Sequence, residues 1–157
     1  FKDVDGRVLD LRSRWGGAPA DAGELFVGGT ADMTVKSRDR DVQYVNTRFH
    51  KPIVAIIDAG TRSGMEILAY SLKKNGIPLV GTPTAGDVLA ATAYPLPDDS
   101  LLELAVEDVH VDGKRLEANP VTPDITVPRD IRYANGADPQ MDAALGEMDR
   151  RLEKGVD

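Results

Sequence analysis

Among the side chains of this sequence that can do covalent chemistry, Ser63 has the most suggestive setting. It lies in Pro52-Ile-Val-Ala-Ile-Ile-Asp58-Ala-Gly60-Thr-Arg-Ser63-Gly-Met-Glu66-Ile-Leu-Ala-Tyr70, where an apolar run passes through a glycine turn into a helical pattern. Ile53 to Ile57 read as a buried strand, and Met65, Ile67, Leu68 and Leu72 recur near helical periodicity. Ser63 is therefore expected at the carboxyl end of a central strand and the amino end of a helix, the edge of an α/β sheet that favours ligands and chemistry. The helix dipole and the free amides of the first turn stabilise negative charge there, so an oxyanion forming beside Ser63 would meet the Gly64 amide. A serine so placed is a candidate nucleophile. The same spacing has a structural account, because Ser63-x-x-Glu66 is also a capping box in which serine and glutamate satisfy each other's amides. The two roles can coexist.

The elements around Ser63 follow from punctuation. Arg7 to Arg12 reads as a short strand, Trp15-Gly16-Gly17 as a turn, and Pro19 to Val27 as a helix with proline in its first turn. Residues 28 to 51, with segments such as Met33-Thr-Val-Lys36 and Val42-Gln-Tyr-Val45, suggest a hairpin or flap outside the sheet. The helix after Ser63 should end at Lys73-Lys74-Asn75-Gly76, with basic residues in its last turn and glycine beyond. Ile77 to Gly81 is a further strand and Thr82 to Gly86 a loop. Ala90 to Leu96 and Leu101 to Val111 form a hairpin around Pro97-Asp98-Asp99-Ser100, and Asp112-Gly113 marks a tight turn. Asn119 to Ile125 is extended and proline-bounded. Asp138-Pro139 opens a final helix with an apolar stripe of Met141, Leu145, Met148 and Leu152.

At 157 residues the chain suits one domain and is too short for two. Its 26 acidic and 19 basic residues leave a net charge of −7, which argues against a nucleic-acid surface and against electrostatic binding to anionic lipid. The apolar runs fall far short of a membrane span. Without cysteine there is no thiol nucleophile, thiolate metal site or disulfide framework. Numbering begins at Phe1, which reads as a processed product or an excised portion of a longer polypeptide.

Four segments in order resemble the catalytic core of the carboxyl-terminal processing (tail-specific) and tricorn-like serine peptidases. Leu9-Asp10-Leu11-Arg12-Ser13-Arg14-Trp15-Gly16-Gly17 is similar to the family's Asp-Leu-Arg-x-Asn-x-Gly-Gly loop, and Gly60-Thr-Arg-Ser63-Gly-Met-Glu66 to its nucleophile turn. Val80-Gly81-Thr-Pro-Thr84-Ala-Gly86 resembles the following loop, and Leu116-Glu117-Ala-Asn-Pro-Val121-Thr-Pro123-Asp124-Ile125 the closing motif. The resemblance implies an α/β fold with a crotonase-like and Clp-like core, made of strand–glycine turn–helix units with a β-hairpin and a carboxyl-terminal helix. It further implies endopeptidase activity on a polypeptide substrate, with Ser63 as nucleophile and an oxyanion hole from the Gly64 amide and a glycine amide of the Gly16-Gly17 loop. Residues 1–157 would then be the carboxyl-terminal part of a single core, and family habit would place it in the periplasm or outside the cell. No cofactor or metal is implied; Asp87, Asp98 and Asp99 read as a turn with a solvated flank, and no oligomeric state follows.

The departures bear on the base. Asp87 stands where the processing branch keeps a lysine, so a serine–lysine dyad is not expected. The tricorn-like branch uses a histidine from an upstream segment with a glutamate of the closing motif, and Glu117 matches that glutamate. Neither His50 nor His110 matches the histidine, and Arg14 replaces the motif asparagine. Asp10 and Arg12 share a strand face and read as a structural ion pair. Two other readings stay open: a non-catalytic relative that binds peptides or apolar ligands, and a crotonase-like acyl-CoA enzyme, which would not need Ser63.

Overall fold

The computed structural model describes residues 3–18, 22–23, 26, 33–34, 51–129 and 136–155. Along the chain these form β1 (Arg7–Asp10), β2 (Met33–Thr34), β3 (Ile53–Ile57), α1 (Gly64–Lys74), β4 (Leu79–Gly81), β5 (Ala90–Pro95), β6 (Leu101–Glu107), β7 (His110–Val111), β8 (Lys114–Arg115), β9 (Ile125–Thr126) and α2 (Pro139–Lys154). Every residue of β3 is buried, which five consecutive apolar side chains achieve only when both faces of a sheet are covered. Ala55 and Ile57 pack with Leu68, Ala69 and Leu72 of α1 on one face. Val54 and Ile56 pack with Ala144 and Met148 of α2 on the other.

The main sheet has the order β1-β3-β4-β9, all parallel. Parallel neighbours release their chains at the same edge, so the loops after β1, β3 and β4 lie side by side although they are distant in sequence. This mixed α/β arrangement with a parallel sheet is the expected one. The helix expected over 19–27 falls largely outside the described residues, although Ala22 and Phe26 pack on the core. Most of the flap over 28–51 lies outside them too; its Met33–Thr34 joins a second, antiparallel sheet of order β2-β7-β8 and not the main one.

Two expectations need correction. Leu101 to Val111 is not one strand: β6 stops at Glu107, and Val109 turns into a small cluster with Val88, Val111 and Leu116, so β7 pairs with β2 and β8 instead. That leaves β5 and β6 as a two-stranded hairpin with Tyr94, Leu102, Leu104 and Val106 exposed. The α2 stripe is also rotated. Met148 is buried, but Leu145 and Leu152 are exposed, and the buried face runs through Gln140, Ala144, Glu147 and Met148. Two polar residues can occupy that face because their partners are local: Glu147 accepts from Arg150 and Arg151, and Gln140 Nε2 donates to the Val127 carbonyl at 2.9 Å.

The start of α2 is fastened to the loop after β1 by Arg12. Its guanidinium donates to Asp10 Oδ1 and Oδ2 at 2.9 and 2.8 Å, to Asp138 Oδ1 at 2.8 Å and to Gln140 Oε1 at 3.2 Å. Asp138 is also the helix cap, accepting from the amides of Gln140 and Met141, as its pairing with Pro139 predicts. The hydrogen bond from Arg12 holds the Asp138 carboxyl down at about 2, from an ordinary value of 3.8. A carboxyl depressed by folding stabilises the native state above its unfolded value and loses that contribution as pH falls toward its native value. The urea midpoint should therefore fall between pH ~4 and ~2, and Asp138→Asn, which keeps the cap, should flatten that limb; equal slopes would show that this clamp contributes nothing to acid unfolding.

Candidate active site

Ser63 caps α1 with φ 53° and ψ −126°, outside the helical and strand basins. Such a backbone costs a non-glycine residue ~1–3 kcal/mol and persists only where its surroundings over-determine it. They do so here. The Ser63 amide donates to the Asp87 carbonyl at 2.8 Å and to Glu66 Oε1 at 3.3 Å, while the Ser63 carbonyl accepts from the amides of Glu66 and Ile67 at 2.8 and 3.3 Å. The capping-box partners are in place, yet the close bond from the Glu66 amide goes to the Ser63 carbonyl and the Ser63 hydroxyl makes no cap hydrogen bond of its own. The capping geometry and a reactive hydroxyl therefore coexist at Ser63.

The loop after β1 closes against this turn through two glycines. Gly16, at φ 105°, lies where a Cβ would come within 2.7 Å of Ser63 Cβ and 3.2 Å of its Oγ. A Cβ on Gly64 would come within 2.8 Å of the Ala18 carbonyl oxygen and 2.9 Å of the Ala18 nitrogen. Both sites are too close for a Cβ: Gly64 faces the backbone of Ala18, and Gly16, itself at positive φ, faces the Ser63 side chain. Gly17 follows at φ 79° with open space around it. Gly16, Gly64 and Ser63 are thus brought together, and among the described residues the Gly64 amide has no acceptor. The Arg14 that replaces the motif asparagine contributes its carbonyl, which accepts from the Arg62 amide at 3.1 Å.

Behind the turn are residues that sequence reasoning passed over. Asp58, buried at the end of β3, accepts from the amides of Ser13 at 3.0 Å and Gly60 at 2.8 Å and from Arg129 Nη1 at 3.0 Å. Thr61 donates its hydroxyl to the Leu11 carbonyl at 3.0 Å. These bonds tie the loops after β1 and β3 together. An acidic residue directly after a wholly apolar strand was the available signal for Asp58; Thr61 had none. Glu66 does more than cap. It is fully buried, and its carboxylate accepts from the Thr84 hydroxyl at 2.5 Å and from the amides of Gly86 and Asp87 at 2.7 and 2.8 Å.

Glu117 lies on the far side of the same loop, where Oε2 accepts from the amides of Val88 and Leu89 at 2.7 and 3.3 Å. It grips the chain just beyond Asp87, whose carbonyl holds Ser63. Asp87 itself, at the lysine position of the processing branch, pairs with Arg62 at 2.5 Å. His110 is exposed on β7, 3.9 Å from Asp108, and His50 lies outside the described residues. No group of three or more His, Cys, Asp or Glu that could hold a metal is found among the described residues, and no helix among them is long and apolar enough to cross a membrane.

The chain is 28% identical over 134 residues to the carboxy-terminal processing protease CtpA of Bacillus subtilis, covering 79% of this chain and 29% of that protein. It is 33% identical over 116 residues to the chloroplastic carboxyl-terminal-processing peptidase 3 of Arabidopsis thaliana, covering 67% of this chain and 22% of that one. The chain thus spans less than a third of the length of these curated relatives. Among solved structures, the photosystem II D1 C-terminal processing protease superposes with a TM-score of 0.59 at 26% identity, over 81% of this chain and 36% of that one. The model of peptidase family S41 matches residues 1–127, and the chain belongs to that family.

Proposed function

We propose that this chain carries the nucleophile and oxyanion hole of a serine endopeptidase acting on polypeptides, on a core of crotonase-like and Clp-like type. The observation that carries the reading is the Ser63 backbone: a non-glycine residue held at φ 53°, ψ −126° at the head of a helix, with Gly16 closed against its side chain. Ser63 Oγ attacks the scissile carbonyl carbon and gives up its proton to a general base. The carbonyl oxygen, now negative, is met by the Gly64 amide and an amide of the Gly16-Gly17 loop. Collapse of the tetrahedral species passes the proton to the leaving amine and leaves an acyl ester on Ser63; water, activated by the same base, then releases the acid.

On this reading the base comes from an upstream segment, with Glu117 orienting it. No lysine or histidine among the described residues hydrogen-bonds to Ser63, and Glu117 uses one carboxylate oxygen on the Val88 and Leu89 amides, which leaves Oε1 for the base. Residues 1–157 are on this reading the carboxyl-terminal part of one core. The rival, a non-catalytic relative that binds peptides, draws on the Asp87–Arg62 pair at the lysine position.

Two experiments separate and test these readings. A fluorophosphonate probe should label a longer polypeptide containing residues 1–157 and its upstream segment at one site, and Ser63→Ala should abolish labelling; residues 1–157 by themselves should have little peptidase activity. Absence of labelling in a folded sample would favour the rival. The second concerns Glu66, whose removal strands the Thr84 hydroxyl and the Gly86 and Asp87 amides. Glu66→Ala should cost about 3 kcal/mol in denaturant unfolding and slow labelling of Ser63 at least tenfold, with Glu66→Gln between it and the parent; labelling at the parent rate would show that Glu66 does not position Ser63.

A further inference from the structure

Trp15 is the chain's sole tryptophan and, among the described residues, the most exposed large apolar side chain, at 88%. Indoles are usually at least partly buried because of the apolar area they carry. This one is also held in place. Residue 16, its neighbour, is locked against Ser63, and on the other side the Arg14 carbonyl accepts from the Arg62 amide. The Arg62 guanidinium lies 5.9 Å from the centre of the Trp15 ring, within range of a cation–π contact, and is itself paired with Asp87 at 2.5 Å. An exposed ring whose place is set by a rigid loop and a fixed cation is preorganised for contact.

We infer that the Trp15 indole, backed by Arg62, is the wall of a subsite that takes a bulky apolar or aromatic side chain of the polypeptide beside the scissile bond. This rests on the reading of Ser63 as the reacting residue. A carbonyl placed at Ser63 Oγ with its oxygen toward the glycine loop lies beside Gly16, and Trp15 is the next residue along that loop, so the flanking side chain meets the ring. The charge of Arg62 is already answered by Asp87, so the subsite asks for apolar surface and not for an acidic partner. The segment's resemblance to the family loop does not supply the tryptophan, which stands at one of that motif's variable positions.

The test uses the longer polypeptide containing residues 1–157 and its upstream segment, with Ser63→Ala to prevent turnover and the same polypeptide carrying Trp15→Phe as the emission blank, and acetylated, amidated pentapeptides of alanine with Phe, Gly or Glu at the centre. Trp15 emission reports contact directly, and calorimetry reports binding in every variant. The Phe peptide should shift the emission to the blue and bind about tenfold more tightly than the Gly peptide, the ratio that ~1.4 kcal/mol supplies. Trp15→Phe should keep most of that preference and Trp15→Ala should lose it. The inference is overturned if peptides bind without moving the emission, if Trp15→Ala keeps the preference, if Glu binds most tightly, or if no peptide binds. Fluorophosphonate labelling of Ser63 in the longer wild-type polypeptide, run in parallel, separates the two claims: a Phe preference without labelling removes the peptidase reading alone, and labelling without a preference removes the subsite alone.

Discussion

A buried carboxyl held by main-chain amides is the interaction on which the site depends. Glu66 sits fully inside the protein at the first turn of α1, where among the described residues no cation pairs with it; three main-chain amides, from Ser63, Gly86 and Asp87, and the Thr84 hydroxyl donate to its carboxyl instead. A carboxyl so enclosed is tolerable only when its oxygens are met by well-placed donors. Meeting that requirement sets the path of residues 84–87, and that path brings the Asp87 carbonyl to the Ser63 amide. The unusual backbone of Ser63 is thus held from behind by electrostatics rather than by packing.

The front of the site is shaped by steric necessity. Gly64 lets the backbone of Ala18 approach more closely than a side chain allows, and Gly16 lies against the Ser63 side chain, so the loop after β1 rests directly on the helix start. Its other end is moored by Arg12, which spans Asp10 and the Asp138 cap and so couples the glycine loop to the last helix of the chain. Asp58 completes the frame by accepting from the Ser13 and Gly60 amides. Three loops from three adjacent parallel strands are in this way held at one edge, with the Trp15, Arg62 and Asp87 side chains facing outward at the rim.

The departures from sequence expectation share a physical origin. Val109 and Leu145 are both apolar residues in apolar patterns, and periodicity treats them alike. In the fold Val109 is drawn into a cluster with Val88 and Leu116, which breaks the long strand in two, whereas Leu145 is left exposed because the sheet contacts α2 along Ala144 and Met148. Periodicity states that a face exists; which residues line it depends on the curvature and offset of what packs against it.

Local chemistry, written in adjacent residues, was legible without the structure. The apolar run of β3, the glycine turn into α1, its basic and asparagine-capped end, the Asp112-Gly113 turn and the Asp138-Pro139 helix start each depend on side chains within a few positions, and so did the candidacy of Ser63 and Gly64. What the tertiary structure decided was every relation across the sheet. Gly16 against Ser63, Glu66 among the donors of residues 84–87, Glu117 on the Val88 and Leu89 amides and Arg12 on Asp138 all join segments that local spacing cannot connect. They arise because parallel strands deliver distant loops to one edge, and sequence separation carries no record of which strands will be neighbours.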